Sequence, residues 1–200
     1  MTRWARNVSV AGVLAVVATA AWVSVAGGSH FDNMYRTANL NHNCSNGGLF
    51  CQTDNATLTV FLQGNLSSGA NIRWTLDGSW NTTDLNVTYH SSPSYSGTSE
   101  TDIIYQYNPS RVPSGADGVA WCDGVGSNFT ECDQHYVAFR SSNPSRGLAC
   151  HETGHAVGLT HGANASPAVS QTNTHLQCMT TPVQTVYVGA HNVAQVNATY

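Results

Sequence analysis

The sequence predicts a single α+β domain, and three observations carry the prediction. Five short runs rich in β-branched and aromatic residues are interleaved with three stretches of helical periodicity. Two hundred residues without an internal repeat or a long linker make one domain. Five tryptophans, eight tyrosines and five phenylalanines, within 41% hydrophobic residues, are enough to build its core.

The surface is solvated by Ser, Thr, Asn and Gly rather than by charge. Only 9% of the residues are charged, with 11 acidic against 7 basic and a formal charge of −4. All the basic residues are arginines, and the glutamates are three: Glu100, Glu131 and Glu152. The chain lacks a basic stripe to neutralise phosphates, which disfavours a nucleic-acid partner.

The elements follow in chain order. Arg3 and Arg6 precede an apolar run from about Val8 to Ala26 that ends Ser24-Val25-Ala26, the pattern of a secretory signal peptide over residues 1–26. Cleavage there leaves 174 residues and moves the formal charge from −4 to −6. No second apolar span follows, so the expected product is secreted, with no membrane span after cleavage. Residues 27–56 are polar and read as an N-terminal extended segment, and residues 57–200 as the folded domain.

Six cysteines in an exported chain point to disulfides, although they admit 15 pairings. Cys44 and Cys51 flank a Ser-Asn-Gly-Gly turn, and Cys122 and Cys132 flank a Gly-rich loop; that leaves Cys150 with Cys178. No Cys-x-x-Cys is present, which argues against thiol redox chemistry.

Residues 57–62 alternate as a strand. Ser67 or Ser68 is placed to cap a helix near 69–79, in which Ile72, Leu76 and Trp80 recur every four residues. Strands are expected at 85–89, 103–107, 118–121 and 135–139. Asn143 as cap and Pro144 as first residue would start a helix ending at about Val157, stopped by Gly158. A last helix near 190–199 buries Val193, Val196 and Tyr200.

The chemistry is concentrated in residues 151–161, His-Glu-Thr-Gly-His-Ala-Val-Gly-Leu-Thr-His. On a helix, His151 and His155 lie one turn apart on one face, so both imidazoles reach one metal. Glu152 lies beside them, placed to take a proton from water at that metal without being a ligand. Gly158 can turn the chain in a left-handed conformation and bring His161 back to the same point. Three neutral nitrogens with one open position describe a catalytic zinc site rather than a closed structural one. At this composition the three His, one Glu and one Gly would match by chance about once in 10⁷ starts.

This run is the signature H-E-x-x-H-x-x-G-x-x-H, and the chain resembles the metzincin zinc endopeptidases, in particular matrixin-like catalytic domains of the small secreted bacterial type. The resemblance implies a twisted, mostly parallel sheet with one antiparallel edge strand, an active-site helix, a Met-turn and a C-terminal helix. It assigns the Met-turn to Met179, 18 residues after His161, so that Cys150–Cys178 would clamp the zinc helix to that turn. It places substrate antiparallel to the edge strand, at Gly118, Val119, Ala120 and Trp121 through to Cys122. Tyr187 is the candidate for a tyrosine assisting the oxyanion.

The resemblance also raises a structural calcium or a second zinc, with His90, His135 and Asp117 in the relevant region. His30, His42, His175 and His191 read as solvated or hydrogen-bonded side chains. The cysteine-switch propeptide and the haemopexin-like repeats of vertebrate matrixins are absent from this sequence, and the third ligand is His161, not the Asp of snapalysin-type enzymes.

The expected function is a monomeric, secreted, zinc-dependent endopeptidase acting on protein or peptide, with Glu152 as general base. Two other classes share the motif: a non-catalytic binding module stabilised by zinc, and a metal-dependent hydrolase of other bonds. Asn-x-Ser/Thr sequons beyond residue 26, Asn43, Asn55, Asn65, Asn81, Asn86, Asn128 and Asn197 among them, matter only in a glycosylating host. Neither a Gly-rich phosphate loop nor a G-x-S-x-G elbow is present.

Overall fold

The computed structural model describes residues 30–200 except Thr37, Asn41, His42, Ser68, Thr98 and Asn128. The signal-peptide expectation over 1–26, His42 and the Asn128 sequon lie outside the described residues.

The period-2 runs assemble into one sheet. Its order is β3 (Asn86–Tyr89), β2 (Thr57–Leu62), β4 (Ile103–Tyr107), β6 (Glu131–Phe139) and β5 (Gly118–Val125), with the short β1 (Gln52–Thr53) beside the start of β6. Every pairing is parallel except β5 with β6, where Gly118 faces Phe139 and Cys122 faces His135. The β5 and β6 strands run longer than their expected cores at 118–121 and 135–139. The apolar alternation marks only the parts that are buried on both faces.

One face of the sheet carries the main core. Leu58, Val60, Ile103, Tyr105, Val137 and Phe139 share that core with Ala149, Cys150 and Ala156 of helix α2 (Arg146–Ala156) and with its C-cap Val157. Tyr105 donates to Thr153 Oγ1 at 2.7 Å, and Thr153 in turn donates to the Ala149 carbonyl at 2.7 Å, so α2 is tied to β4 as well as packed on it. Trp121, Ala138 and Val112 form a smaller cluster of their own.

Helix α2 begins later than the sequence suggests. Ser145, extended at φ −67° and ψ 157°, is the cap, and its Oγ accepts from Leu148 N at 3.2 Å. The Asn143 backbone N–H is engaged by Ser141 Oγ instead, which leaves Pro144 outside the helix.

The helix expected at 69–79 is also different in form. It is α-helical over Ala70–Trp74 (α1), widens into a π turn over Thr75–Ser79 and closes as a 3-10 turn over Trp80–Thr82. The Thr75 hydroxyl donates to the Asn71 carbonyl and so competes for the helical acceptor. Ile72, Leu76 and Trp80 are nevertheless all buried. Gly69 takes the cap position with no side-chain hydrogen bond, and a Cβ there would strike Leu62 Cδ2. Ser67 is held by Ser142 instead.

The last helix, α3, spans Gly189–Thr199 and buries Val196. Tyr200 closes the chain, its hydroxyl donating to the Val157 carbonyl and accepting from Thr53 N, each at 3.0 Å.

All three disulfides pair as expected: Cys44–Cys51, Cys122–Cys132 and Cys150–Cys178. The last closes a loop with a sequence separation of 28. On the chain-entropy account that contributes roughly 3–4 kcal/mol.

His135, on β6, is 1% exposed, and neither ring nitrogen meets a hydrogen-bond partner within normal distance. Burial holds its pKa down to about 3. The unfolded chain therefore takes up this proton below about pH 6.5 while the folded one does not, so stability is present above 6.5 and falls toward pH 3. Asp102, raised to about 6 chiefly by burial, acts in the opposite sense and loses its contribution as pH rises through 6. Acid unfolding of His135→Phe should separate the two. The fall in unfolding free energy between pH 6.5 and 3 is expected to shrink by a few kcal/mol relative to wild type; an unchanged profile would assign the acid sensitivity elsewhere.

Candidate metal centre

Helical spacing brings His151 and His155 onto one face of α2, and the turn after the helix returns His161 to them. Gly158 makes that turn at φ +97°, where a side chain would be strained and its Cβ would also lie 2.9 Å from both Gln52 Cγ and Met34 Sδ. The three Nε2 atoms form a triangle with sides of 3.0 Å. A tetrahedral site with Zn–N of ~2.0–2.1 Å sets N···N separations of about 3.3 Å, so the donor set is close to the size this ion requires.

The second nitrogens explain why the Nε2 atoms are free to serve as ligands. His151 Nδ1 donates to the Cys178 carbonyl at 2.7 Å, and His155 Nδ1 donates to the Leu159 carbonyl at 2.8 Å. These bonds place the proton on Nδ1 and aim the Nε2 lone pair inward. Burial pushes all three imidazoles below their ordinary pKa, His151 to about 4 and His155 well below it. Three neutral lone pairs at 3.0 Å repel one another, and a shared cation resolves that repulsion.

Glu152 faces the same space. It is 4% exposed, and its Oε2 has no hydrogen-bond partner. Burial raises its pKa to about 8, with the Ala120 backbone N–H opposing the shift. A cation within reach of the carboxylate would act against that rise and favour the ionised form. Gly118 makes room for it: a Cβ there would lie 2.7 Å from Glu152 Oε1.

Met179 is fully buried beneath α2, and a Cβ on Gly154 would collide with its sulfur. The turn leading to it is set by Gln177 at φ 52° and ψ −120°, and the Cys150–Cys178 bond fixes it to the helix. The His151–Cys178 hydrogen bond therefore depends on a residue cross-linked to the neighbour of His151 itself.

These groups open onto a cleft of about 790 Å³. Gly118, Val119 and Ala120 line it, and so does Asp117. Trp121 does not: it is stacked on Tyr136 at 5.3 Å and covered by the Arg111 guanidinium. Tyr187 is 59% exposed, packs toward the Trp74 ring at 6.3 Å and is not among the cleft residues.

The structure does not gather His90, His135 and Asp117. Among the described residues, the only groups of three potential ligands with donor atoms within 4.8 Å of one another are the three histidines and Cys44, Cys51 and Cys122, whose sulfurs are in disulfides. His90 instead lines a hollow with Asp54, Glu100, Asp102 and Asp133. His191 bonds Asn33 Oδ1 at 2.9 Å, and His30 and His175 are exposed.

Sequence reasoning missed Leu49 and Phe50, which also line the cleft. The Phe50 ring meets those of His155 and His161 edge-on at 5.0 and 5.9 Å. The available signal was two large apolar residues beside a cysteine that closes a small loop.

No family model matches the chain, and no curated protein matches it. Nine chains of solved structures match. One is a crystal structure of myroilysin, 16% identical, covering 66% of this chain and 60% of that one with a TM-score of 0.33. The chain thus spans about 60% of that structure's length.

Proposed function

We propose that the chain is a secreted, zinc-dependent endopeptidase of the metzincin type, with a matrixin-like catalytic domain acting as a monomer on protein or peptide. The observation that carries this reading is the convergence of three Nε2 atoms at 3.0 Å beside a buried carboxylate oxygen with no partner. Gly158, Met179 and the Cys150–Cys178 bond support it as the devices that hold the three ligands in place. Three disulfides, and the lack among the described residues of a helix long and apolar enough to cross a membrane, accord with export.

His151, His155 and His161 would hold the zinc, which supplies Lewis acidity: it acidifies water toward a pKa of about 7 and polarises a carbonyl. Glu152 Oε2 accepts the proton of the attacking water and returns it to the departing amide nitrogen. The cleft residues on β5 present backbone groups along which an extended peptide aligns.

The test is a proteome-derived peptide library digested with and without a chelator. Cleavage is expected only without chelator, with activity restored by one equivalent of Zn²⁺. A zinc-loaded protein that cuts no peptide, and unfolds when stripped, would instead favour a zinc-stabilised binding module.

A further inference from the structure

The hydrogen-bond parity of β5 shows how much of its outer edge a peptide can use. Arg140 N donates to the Asp117 carbonyl at 2.8 Å, so residue 117 and, by alternation, 119 and 121 direct their backbone groups toward β6. Gly118, Ala120 and Cys122 then direct theirs outward. Cys122 is already taken: it donates to the Gly48 carbonyl at 2.9 Å and accepts from Gly47 N at 2.7 Å. The open edge is therefore Gly118 and the carbonyl of Ala120, whose N–H already donates to the Glu152 carboxylate.

The segment that closes the edge is firmly fixed. Cys44–Cys51 closes it, Cys44 N donates to the Phe129 carbonyl, and Asn46 Oδ1 accepts from Val125 N. Its cystine packs with Cys122–Cys132 in one buried cluster. Beyond the stop, Phe50 stands against the zinc histidines and Leu49 is 49% exposed at the cleft.

We infer that the 44–51 loop is a stop and an apolar wall that sets substrate selection: it limits backbone pairing to the Gly118–Ala120 edge and receives an apolar substrate side chain on Leu49 and Phe50. This rests on the peptidase reading above. Antiparallel pairing, the sense in which β5 meets β6 and the slightly more stable one, puts the N-terminal residues of a peptide at the Cys122 end. Recognition on that side of the scissile bond ends after about two residues, since each substrate residue advances one step along the strand. The preferred class is an extended peptide with a large apolar residue close to the bond on its N-terminal side.

The experiment uses the zinc-loaded protein and peptides extended one residue at a time on either side of one cleavage site. Each is prepared with Leu or with Asn at the position facing the loop. The value of kcat/KM should stop rising after about two N-terminal residues. The half-exposed Leu49→Ala should retain its fold and lose about tenfold of the Leu-over-Asn preference. A continued rise with N-terminal length, or an unaltered preference in Leu49→Ala, overturns the inference and leaves the peptidase reading standing. Failure to cleave any peptide sinks both.

Discussion

Glu152→Gln should lower kcat by about 10²–10⁴-fold, the range carried by a positioned acid–base group, and leave the zinc content at one per chain. The metal is expected to remain because the three converging donors are imidazole nitrogens and two of them are oriented by backbone carbonyls that the substitution does not touch. The fold should also remain. Glu152 is buried with Oε2 unpartnered, and the amide keeps a carbonyl oxygen that can accept from the Ala120 N–H, so no existing bond has to break. KM should change little, since the carboxylate handles the proton and not the body of the peptide. Glu100→Gln and Glu131→Gln serve as controls: Glu100 lines the hollow around His90 and Glu131 starts β6. Zinc lost in step with activity would make Glu152 a structural partner of the site. Activity retained with zinc bound would remove it from the mechanism.

The residues that were legible in the sequence are those whose placement is local. His151 and His155 meet because four residues make about one helical turn, and His161 returns because a glycine in between can take φ +97°. Two of the cysteine pairs close short turns, and the third follows from them. Strand cores stood out where both faces are buried, as at Ile103, Ile104 and Tyr105.

Features set by tertiary contact were not legible. Asn143-Pro144 has the composition of a helix start, but Ser145 holds the geometry that reaches Leu148 N. Trp121 belongs to the edge strand, yet its side chain stacks on Tyr136 beneath the Arg111 guanidinium and stays outside the cleft. Tyr187 is near Met179 in sequence and packs toward Trp74 instead. Leu49 and Phe50 reach the three histidines because hydrogen bonds join their loop to Cys122, Val125 and Phe129, partners more than 70 residues away. Periodicity carries no record of such a pairing.

Gly118→Ala should be nearly as damaging as loss of the base, at about 10²-fold in kcat, the cost of displacing a catalytic group by an ångström or so. The added Cβ would lie 2.7, 2.8 and 2.9 Å from Glu152 Oε1, Cγ and Cδ. Either the carboxylate or the strand must give way. The strand is held by its ladder to β6 and by the Cys122 bonds to the 44–51 loop, so the carboxylate moves. The histidines are untouched, and zinc content and thermal stability should stay near wild type. Gly78→Ala is the control, because a Cβ there meets nothing within 4 Å.

A double variant then separates two roles for the glycine. If Gly118 acts only by leaving room for the base, Gly118→Ala costs nothing further once Glu152 is already Gln, because groups acting as a unit are not additive. If the losses add, the glycine has a second task at the open edge, where its outward N–H and C=O would align the substrate. In that case the extra loss should appear in KM and grow with peptide length, whereas displacement of the base is independent of length.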